Sequence, residues 1–159
     1  MNLIEVGIGK FETSSDVNSV IKTYALGSCV AVIIYDSESR IGGMIHIALP
    51  DSDINIKKSE RDPAYFANTG LPLLFNKMNL LGAKRKSSTI KMVGGASVIK
   101  NCESFDIGKR NVLAVRKILW NKKLGLIKED VGGNFSRTVS LNIADGTVTI
   151  SNSGNNREI

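Results

Sequence analysis

The sequence predicts an α+β fold, a layered α/β sandwich of mostly antiparallel sheet with two main helices. Two observations predict it: strand-like apolar runs outnumber helical ones, and the runs come in groups rather than in alternation with helices. The predicted order is strand, strand, hairpin, helix, strand, helix, strand and hairpin. A doubly wound parallel sheet would alternate strand and helix throughout, so this order argues against that class.

Strands are predicted first, over residues 3–11 and 20–26, and a β-hairpin follows them. The two arms of the hairpin, residues 30–35 and 41–49, flank the turn-forming run Asp36-Ser37-Glu38-Ser39. The second arm leads directly into the polar and charged residues 51–62, which predict a mobile loop.

The register of this hairpin decides whether the chain's only histidine meets a thiol. A hairpin centred on the middle of the turn pairs Tyr35 with Arg40 and sets Cys29 opposite His46. Directly opposed Cβ atoms lie about 4.5–5.5 Å apart, which is close to hydrogen-bonding range for a thiol and an imidazole. A slip of one residue would send the two side chains to opposite faces of the sheet.

The first helix is predicted to begin at Asp62, which caps it while Pro63 takes the first helical position, and to end near Gly82. Gly70 and Pro72 are expected to weaken or kink it. The second helix is predicted over residues 107–124, where apolar residues recur at helical spacing. These apolar residues are Val112, Val115, Ile118 and Leu119.

The rest of the chain predicts β-structure. Residues 89–93 form a strand that ends in Gly94-Gly95, and residues 126–131 form another. Residues 138–143 and 147–150 surround Asp145-Gly146, a strong hairpin signal. The polar residues 151–159 predict a flexible, frayed tail.

Composition predicts one globular domain over residues 1–159, located in the cytoplasm. The chain has 159 residues, 42% of them hydrophobic, and no apolar run long enough to cross a bilayer. Two cysteines and one histidine are too few for a structural zinc site, so we expect no metal and no cofactor. A free thiol is the expected state of both cysteines in a reducing compartment.

A net charge of +6 predicts attraction to an acidic partner. The basic residues are scattered, and the short clusters Lys84-Arg85-Lys86 and Lys122-Lys123 are most simply read as solvated surface. Aromatic residues make up only 6% of the chain and do not alternate with the basic residues, so nucleic-acid binding is the weakest interpretation.

Cys29 and His46 are the candidate catalytic pair. A thiol needs a base beside it to act as a nucleophile, and an imidazole can accept that proton and later return one to a leaving group. A third group usually orients the imidazole, and Thr23, Asp36 and Asp51 are the candidates.

Gly27 and Ser28 precede Cys29 and can direct backbone N–H groups towards an oxyanion. Ser28 is a weaker candidate nucleophile, because the run around it lacks the second glycine of a Gly-x-Ser-x-Gly elbow. The competing interpretation of Cys29 is a small buried hydrophobe beside an apolar strand. Cys102 has no histidine near it in the sequence and is read as an ordinary thiol.

At these residues the chain resembles the CheD family of chemoreceptor glutamine deamidases. The motifs that carry the resemblance are Thr23-x-x-Leu26-Gly27-Ser28-Cys29-Val30-Ala31, Gly43-Met44-x-His46-x-x-Leu49-Pro50, Gly94-Gly95-Ala96-Ser97, Ile107-Gly108-x-Arg110-Asn111, and Gly132-Gly133-Asn134 with Arg137. The resemblance covers nearly the whole chain and implies the layered α/β sandwich fold of the family.

The resemblance implies that Cys29 is the nucleophile, His46 the base and acid, and Thr23 the third member of the site. It implies deamidation of specific glutamines on the cytoplasmic helices of methyl-accepting chemoreceptors, through a thioester and with release of ammonia, together with a secondary methylesterase activity. It further implies a CheC-type phosphatase as a partner. The Ile107 to Asn111 motif is compatible with either catalytic support or partner docking.

Two other functions remain open from the sequence. One is a non-catalytic adaptor that binds a CheC-type phosphatase or a receptor, against which the presence of Thr23, Cys29 and His46 argues. The other is a cysteine peptidase or general amidohydrolase, which would share the nucleophilic chemistry and differ in substrate.

Overall fold

The computed structural model describes residues 1–97 and 106–159, which form two five-stranded sheets and helices. In order across the first sheet lie β1 (Asn2–Glu5), β3 (Ser19–Leu26), β8 (Arg137–Asn142), β9 (Val148–Asn152) and β10 (Asn155–Glu158). In order across the second sheet lie β2 (Phe11–Ser14), β5 (Ile41–Ile47), β4 (Val30–Asp36), β6 (Ser88–Gly94) and β7 (Leu126–Val131). Only the β1–β3 and β6–β7 pairs are parallel, which confirms the mostly antiparallel α+β prediction.

The helices are α1 (Ile56–Arg61), α2 (Ala67–Leu80) and α3 (Ile107–Asn121). Short 3₁₀ turns lie at Ser52–Ile54, Pro63–Tyr65 and Arg85–Ser87. Within residues 1–97 and 106–159, no helix has both the length and the apolar character needed to cross a membrane.

Strand β4 shows how the layers are arranged. Its Val30, Val32 and Ile34 pack with α2 and α3 on one side of the second sheet. Its Ala31 and Ile33 pack against the first sheet on the other side. Because successive side chains point to opposite faces, an uninterrupted apolar strand fits a sheet covered on both sides.

The same alternation places the candidate site between the two sheets. On β3, Ile21 and Thr23 are fully buried while Lys22 between them is partly exposed. On β5, Met44 faces the first sheet, and His46 lies two residues further on the same face. Thr23 and His46 therefore approach each other from opposite sheets.

The predicted hairpin exists, but its predicted register was wrong by two residues. His46 lies opposite Ala31 rather than Cys29, and Tyr35 lies opposite Gly42 rather than Arg40. Asp36 belongs to the ladder instead of the turn, and its carboxylate accepts a hydrogen bond from the Glu38 N–H at 3.0 Å. A shift of two residues preserves the side-chain face, so His46 stays on the face of Ala31.

The N-terminal residues 3–11 form two strands in different sheets rather than the one predicted strand. The chain turns at Gly9, whose φ is +70°, so that β1 pairs with β3 and β2 pairs with β5. The predicted strand over residues 20–26 is confirmed as β3, with a bulge between Thr23 and Leu26. Ala25 in this bulge has φ +52°, which is uncommon for a residue with a side chain.

Residues 51–62, predicted as a loop, contain the Ser52–Ile54 turn and α1, which the Asn55 side chain caps by accepting from the Lys58 N–H at 3.0 Å. The predicted helix from Asp62 to Gly82 is divided, because Phe66 is extended and forms a β-bridge with Leu49. Asp62 makes no side-chain capping bond.

The predicted interruption at Gly70 and Pro72 does not break α2, which continues through both residues. Pro72 is exposed, as is Asn68, whose carbonyl loses its N–H partner, so water can reach that carbonyl. Gly70 is buried, and a Cβ there would lie 2.7 Å from the Ile45 side chain, so the glycine allows close contact of α2 with β5.

The remaining predicted elements are present. Helix α3 buries Val112, Val115 and Leu119, and the Asp145-Gly146 turn joins β8 to β9. The predicted frayed tail instead contains β10, which pairs with β9. Cys102 lies outside the described residues.

Candidate active site

Cys29 lies on the crossover between the sheets, after β3 of the first sheet and just before β4 of the second. Hydrogen bonds to two of its carbonyl groups fix the backbone of this crossover. The Gly27 oxygen accepts from the Ala96 N–H at 2.8 Å, and the Cys29 oxygen accepts from the Gly95 N–H at 2.8 Å. With their carbonyls fixed in this way, the residues around Cys29 form a defined loop on a rigid support.

Glycines make this support possible. Gly94 has φ +118°, and a Cβ at that position would lie 2.3 Å from the Cys29 carbonyl oxygen. Gly108 on α3 packs so closely that a Cβ would lie 2.5 Å from the Ala96 oxygen. A side chain at either position would displace the backbone that holds Cys29.

Asn111 on α3 joins the cysteine loop to the end of the histidine strand. Its fully buried side-chain amide donates to the Ser28 oxygen at 2.9 Å and to the Ala48 oxygen at 3.0 Å. Ala48 follows β5 directly, two residues after His46. One side chain thus fixes the relative positions of the segments that carry Cys29 and His46.

His46 is 1% exposed and forms a hydrogen bond with Thr23, with 2.7 Å between Nδ1 and Oγ1. The Thr23 hydroxyl also lies 2.7 Å from the Val6 carbonyl oxygen, to which it donates. Because a hydroxyl has one proton and a carbonyl can only accept, Thr23 Oγ1 must accept from a protonated Nδ1. The neutral ring therefore carries its lone pair on Nε2.

Nε2 of His46 is buried and has no hydrogen-bond partner among the described residues. Burial lowers the pKa of His46 to about 4, so the ring is neutral at pH 7. A neutral imidazole with a free Nε2 lone pair has the protonation state of a general base.

Cys29 is half-buried and packs against the core between the two sheets, on the side that Ala31 and His46 share. Burial raises the pKa of its thiol above the ordinary value of 9.0. Since the histidine pKa is lowered and the thiol pKa is raised, the resting groups are a neutral thiol and a neutral imidazole, and the predicted hydrogen bond between Cys29 and His46 is not formed. A nucleophilic role for Cys29 would therefore require transfer of the thiol proton to a base.

Iodoacetamide should alkylate Cys29 slowly at neutral pH, at a rate that rises above pH 9.0. The measurement uses a Cys102→Ala background, so that Cys29 is the only thiol. A resting thiolate–imidazolium pair would instead give a rate that is already maximal near pH 6.5, the ordinary histidine pKa. That result would contradict the neutral pair.

The two carboxylates considered as orienting groups make no hydrogen bond to His46. Asp36 lies at the other end of β4, where burial would raise its pKa but hydrogen bonds from the Ser87 hydroxyl and the Lys84 N–H lower it to about 2. Asp51 caps a 3₁₀ turn by accepting from the Asp53 N–H at 2.8 Å. Among the three candidates, only Thr23 contacts the imidazole.

Gly27 and Ser28 are half-buried beside Cys29. The N–H groups of all three residues donate to no backbone acceptor within residues 1–97 and 106–159. A cavity of about 190 Å³ reaches Thr23 and His46 and extends to Tyr24 at the surface.

The sequence predicts Cys29, His46 and Thr23 as site residues, of which the structure joins Thr23 to His46, and it assigns no role to Asn111 or Val6. The motif around Asn111 was visible, although its role depends on where α3 packs. Val6 acts through its backbone carbonyl, for which a sequence carries no signal.

Comparison with known proteins places the chain among chemotaxis proteins. A family model described as CheD chemotactic sensory transduction matches residues 48–152. A protein of Syntrophotalea carbinolica named "Probable chemoreceptor glutamine deamidase CheD" is 50% identical over 153 residues, which cover 95% of this chain and 94% of the relative.

Two further relatives extend this similarity. "Probable chemoreceptor glutamine deamidase CheD 1" of Syntrophus aciditrophicus is 42% identical over 97% of this chain and 96% of its own length. A protein of Methanococcus maripaludis, with the same name as the first relative, is 42% identical over 79% of this chain and 80% of its own length. The family model begins after His46, whereas the match to the Syntrophus relative spans nearly the whole chain.

Proposed function

The chain belongs to the CheD family, and from this premise we propose that it is a chemoreceptor glutamine deamidase. It converts specific glutamine side chains of methyl-accepting receptors to glutamate and releases ammonia. The observation that carries the proposal is the Thr23–His46 hydrogen bond, which leaves Nε2 of a neutral imidazole without a partner among the described residues. This arrangement supplies a base of fixed tautomer for a thiol nucleophile.

In the first half of the reaction, His46 Nε2 takes the proton of the Cys29 thiol while the sulfur attacks the carboxamide carbon. The carbonyl oxygen becomes an oxyanion, and we assign its stabilisation to the N–H groups of Gly27, Ser28 and Cys29. His46 then gives its proton to the nitrogen, the C–N bond breaks, and ammonia leaves. The product of this half is a thioester with Cys29.

In the second half, His46 Nε2 takes a proton from water as the water oxygen attacks the thioester carbon. The C–S bond breaks, Cys29 recovers its proton, and glutamate is released. The net reaction adds one water and releases one ammonia. The cavity of about 190 Å³ lined by Thr23 and His46 is large enough to hold a water molecule near the imidazole.

A glutamyl methyl ester fits the same route, with methanol leaving in place of ammonia. We include this methylesterase reaction as a secondary activity of the same thiol. The proposed substrate surface is the cytoplasmic helices of the receptor, and a CheC-type phosphatase is the proposed regulatory partner in the cytoplasm. The net charge of +6 favours association with acidic protein surfaces.

The proposal is tested by incubating the protein with a receptor cytoplasmic fragment in ¹⁸O-labelled water and mapping the products by mass spectrometry. We expect glutamine-to-glutamate conversion at a few positions, with one labelled oxygen in each new glutamate and one ammonia released per conversion. The receptor fragment alone measures spontaneous deamidation. Peptide cleavage would indicate a peptidase instead, and binding without modification would indicate a non-catalytic adaptor.

Asn111→Ala is expected to lower the kcat of deamidation by roughly tenfold to a hundredfold, because the cysteine loop and the histidine strand lose their common support. The two carbonyls left without a donor should also reduce the free energy of unfolding by about 1–3 kcal/mol. Asn121→Ala, an exposed asparagine at the other end of the same helix, is the matched control. An unchanged kcat in Asn111→Ala would show that Asn111 has no positioning role.

A further inference from the structure

The surface at the far end of β4 from Cys29 carries two adjoining open cavities of about 790 and 890 Å³. They share Lys123, Leu124 and Gly125, and we call them together the basic groove. Ile34 lines the groove five residues after Cys29 along an extended strand, which corresponds to about 16 Å. The groove is therefore separate from the proposed active site.

The fold brings together two basic clusters that are far apart in the sequence. Arg85 from the first cluster donates to the backbone oxygens of Lys122 and Lys123 in the second, at 2.6 and 2.8 Å. This contact caps the end of α3 and fixes one side of the groove. The neighbouring Lys86 also lines the groove.

The charged side chains that line the basic groove are all positive. Its described lining contains no aspartate or glutamate. Arg116 is paired with Glu129, but Lys86, Lys122 and Lys123 form no ion pair with any residue in the described part of the chain. These three ammonium groups are available to carboxylates of a partner.

The floor of the groove is apolar, and one large aromatic residue stands at its edge. Phe75 and Leu124 are partly buried along the floor, above the buried Ile90. Trp120 lines the second cavity and is 83% exposed. Tryptophan is enriched at the centres of protein interfaces, since the ring buries a large area at a low entropic cost.

We propose that the basic groove docks an acidic segment of a partner protein. Carboxylates of the segment pair with Lys86, Lys122 and Lys123, and its apolar side chains cover the floor and Trp120. A single-stranded nucleic acid could pair with the ammonium groups and stack on Trp120, but the aliphatic part of the floor, Ile34, Ile90 and Leu124, offers bases no stacking surface, so the observations favour a protein segment. The proposal does not depend on the deamidase activity.

Trp120 is the only tryptophan in the chain, so its fluorescence reports on the groove directly. The probe is a synthetic peptide of glutamates with leucines spaced three and four residues apart, titrated into the full chain. We expect a blue shift of the emission on binding. We expect weaker binding of a matched peptide in which serines replace the leucines.

Reversing both charges at the end of α3, in Lys122→Glu/Lys123→Glu, is expected to weaken peptide binding roughly tenfold or more. The matched control is Lys57→Glu/Lys109→Glu, which changes the net charge equally at exposed lysines outside the groove and should bind within about twofold of the wild type. Far-UV circular dichroism checks that each variant is folded. Lys86→Glu/Lys123→Glu repeats the test if the first variant fails to fold.

Three results would overturn the proposal. The first is no change in Trp120 emission when the peptide is added to the wild type. The second is an equal loss of affinity in the groove variant and the matched control, which would show attraction to net charge alone. The third is tighter binding of a single-stranded oligothymidylate than of the peptide, which would identify the groove as a nucleic-acid site.

Discussion

Cys29→Ala is expected to abolish deamidation, with kcat reduced by at least about a thousandfold. Alanine has no atom that can attack the carboxamide, and water without the thiol must attack an amide rather than the more reactive thioester. The matched control is Cys102→Ala, which removes the other thiol of the chain and should leave kcat within about twofold of the wild type, since the proposed mechanism uses Cys29 alone.

The measurement is the initial rate of ammonia release from the receptor fragment, with binding of the fragment measured separately. Cys29→Ala should still bind the fragment, because the backbone of the Cys29 loop is held through carbonyl contacts that do not use the thiol. Full activity in Cys29→Ala would contradict the proposed mechanism. If Cys102→Ala lost activity while Cys29→Ala kept it, Cys102 rather than Cys29 would be the nucleophile.

Thr23→Val is expected to reduce kcat by roughly ten- to a hundredfold with a smaller effect on KM. Valine has nearly the shape of threonine but cannot accept from Nδ1, so the preference for the tautomer with a free Nε2 is lost. The effect should be smaller than for a triad carboxylate, since a hydroxyl orients the ring without adding a full charge to stabilise the imidazolium. For each variant, kcat and KM are both measured from initial rates over a range of substrate concentrations.

Thr23→Ser is the conservative control, because serine retains the hydroxyl that donates to Val6 and accepts from His46. We expect Thr23→Ser to recover most of the wild-type kcat. A purely structural role predicts the opposite order, since valine fills the buried position better than serine. If Thr23→Val kept full kcat, the hydroxyl would have no orienting role.

Much of the fold follows from local patterns in the sequence. The uninterrupted apolar run of β4 predicts a strand covered on both sides, and α3 has its buried residues at the predicted helical spacing. The Asp145-Gly146 turn is correct because its geometry depends on four neighbouring residues. Such features depend on neighbours in the chain, so a sequence contains most of the information that determines them.

The errors share one physical origin, which is contact between distant segments. The hairpin register changed because Asp36 is held by Ser87 and Lys84, about fifty residues away, and so enters the ladder. The tail is the exception, because β10 pairs with its neighbour β9 across the short turn at Ser153 and Gly154. Phe66 divides the predicted first helix because it bridges to Leu49.

The candidate site likewise combines features that follow from local sequence with features that depend on packing between distant segments. The face shared by Cys29 and His46 follows from strand parity, which survives a register error of two residues. The hydrogen bond between Thr23 and His46 crosses from one sheet to the other, and no hairpin argument predicts how two sheets pack. Asn111 depends in addition on the position of α3, which spacing along the chain does not determine.

The placement of Thr23 and His46 on different sheets also has a consequence for folding kinetics. Each sheet can form its strand pairs before the sheets dock, whereas the Thr23–His46 bond forms only on docking. The contacts of Asn111 span 83 and 63 residues and belong to the same late stage. Turnover should therefore return after secondary structure during refolding, which makes enzymatic activity a probe of the last step of assembly.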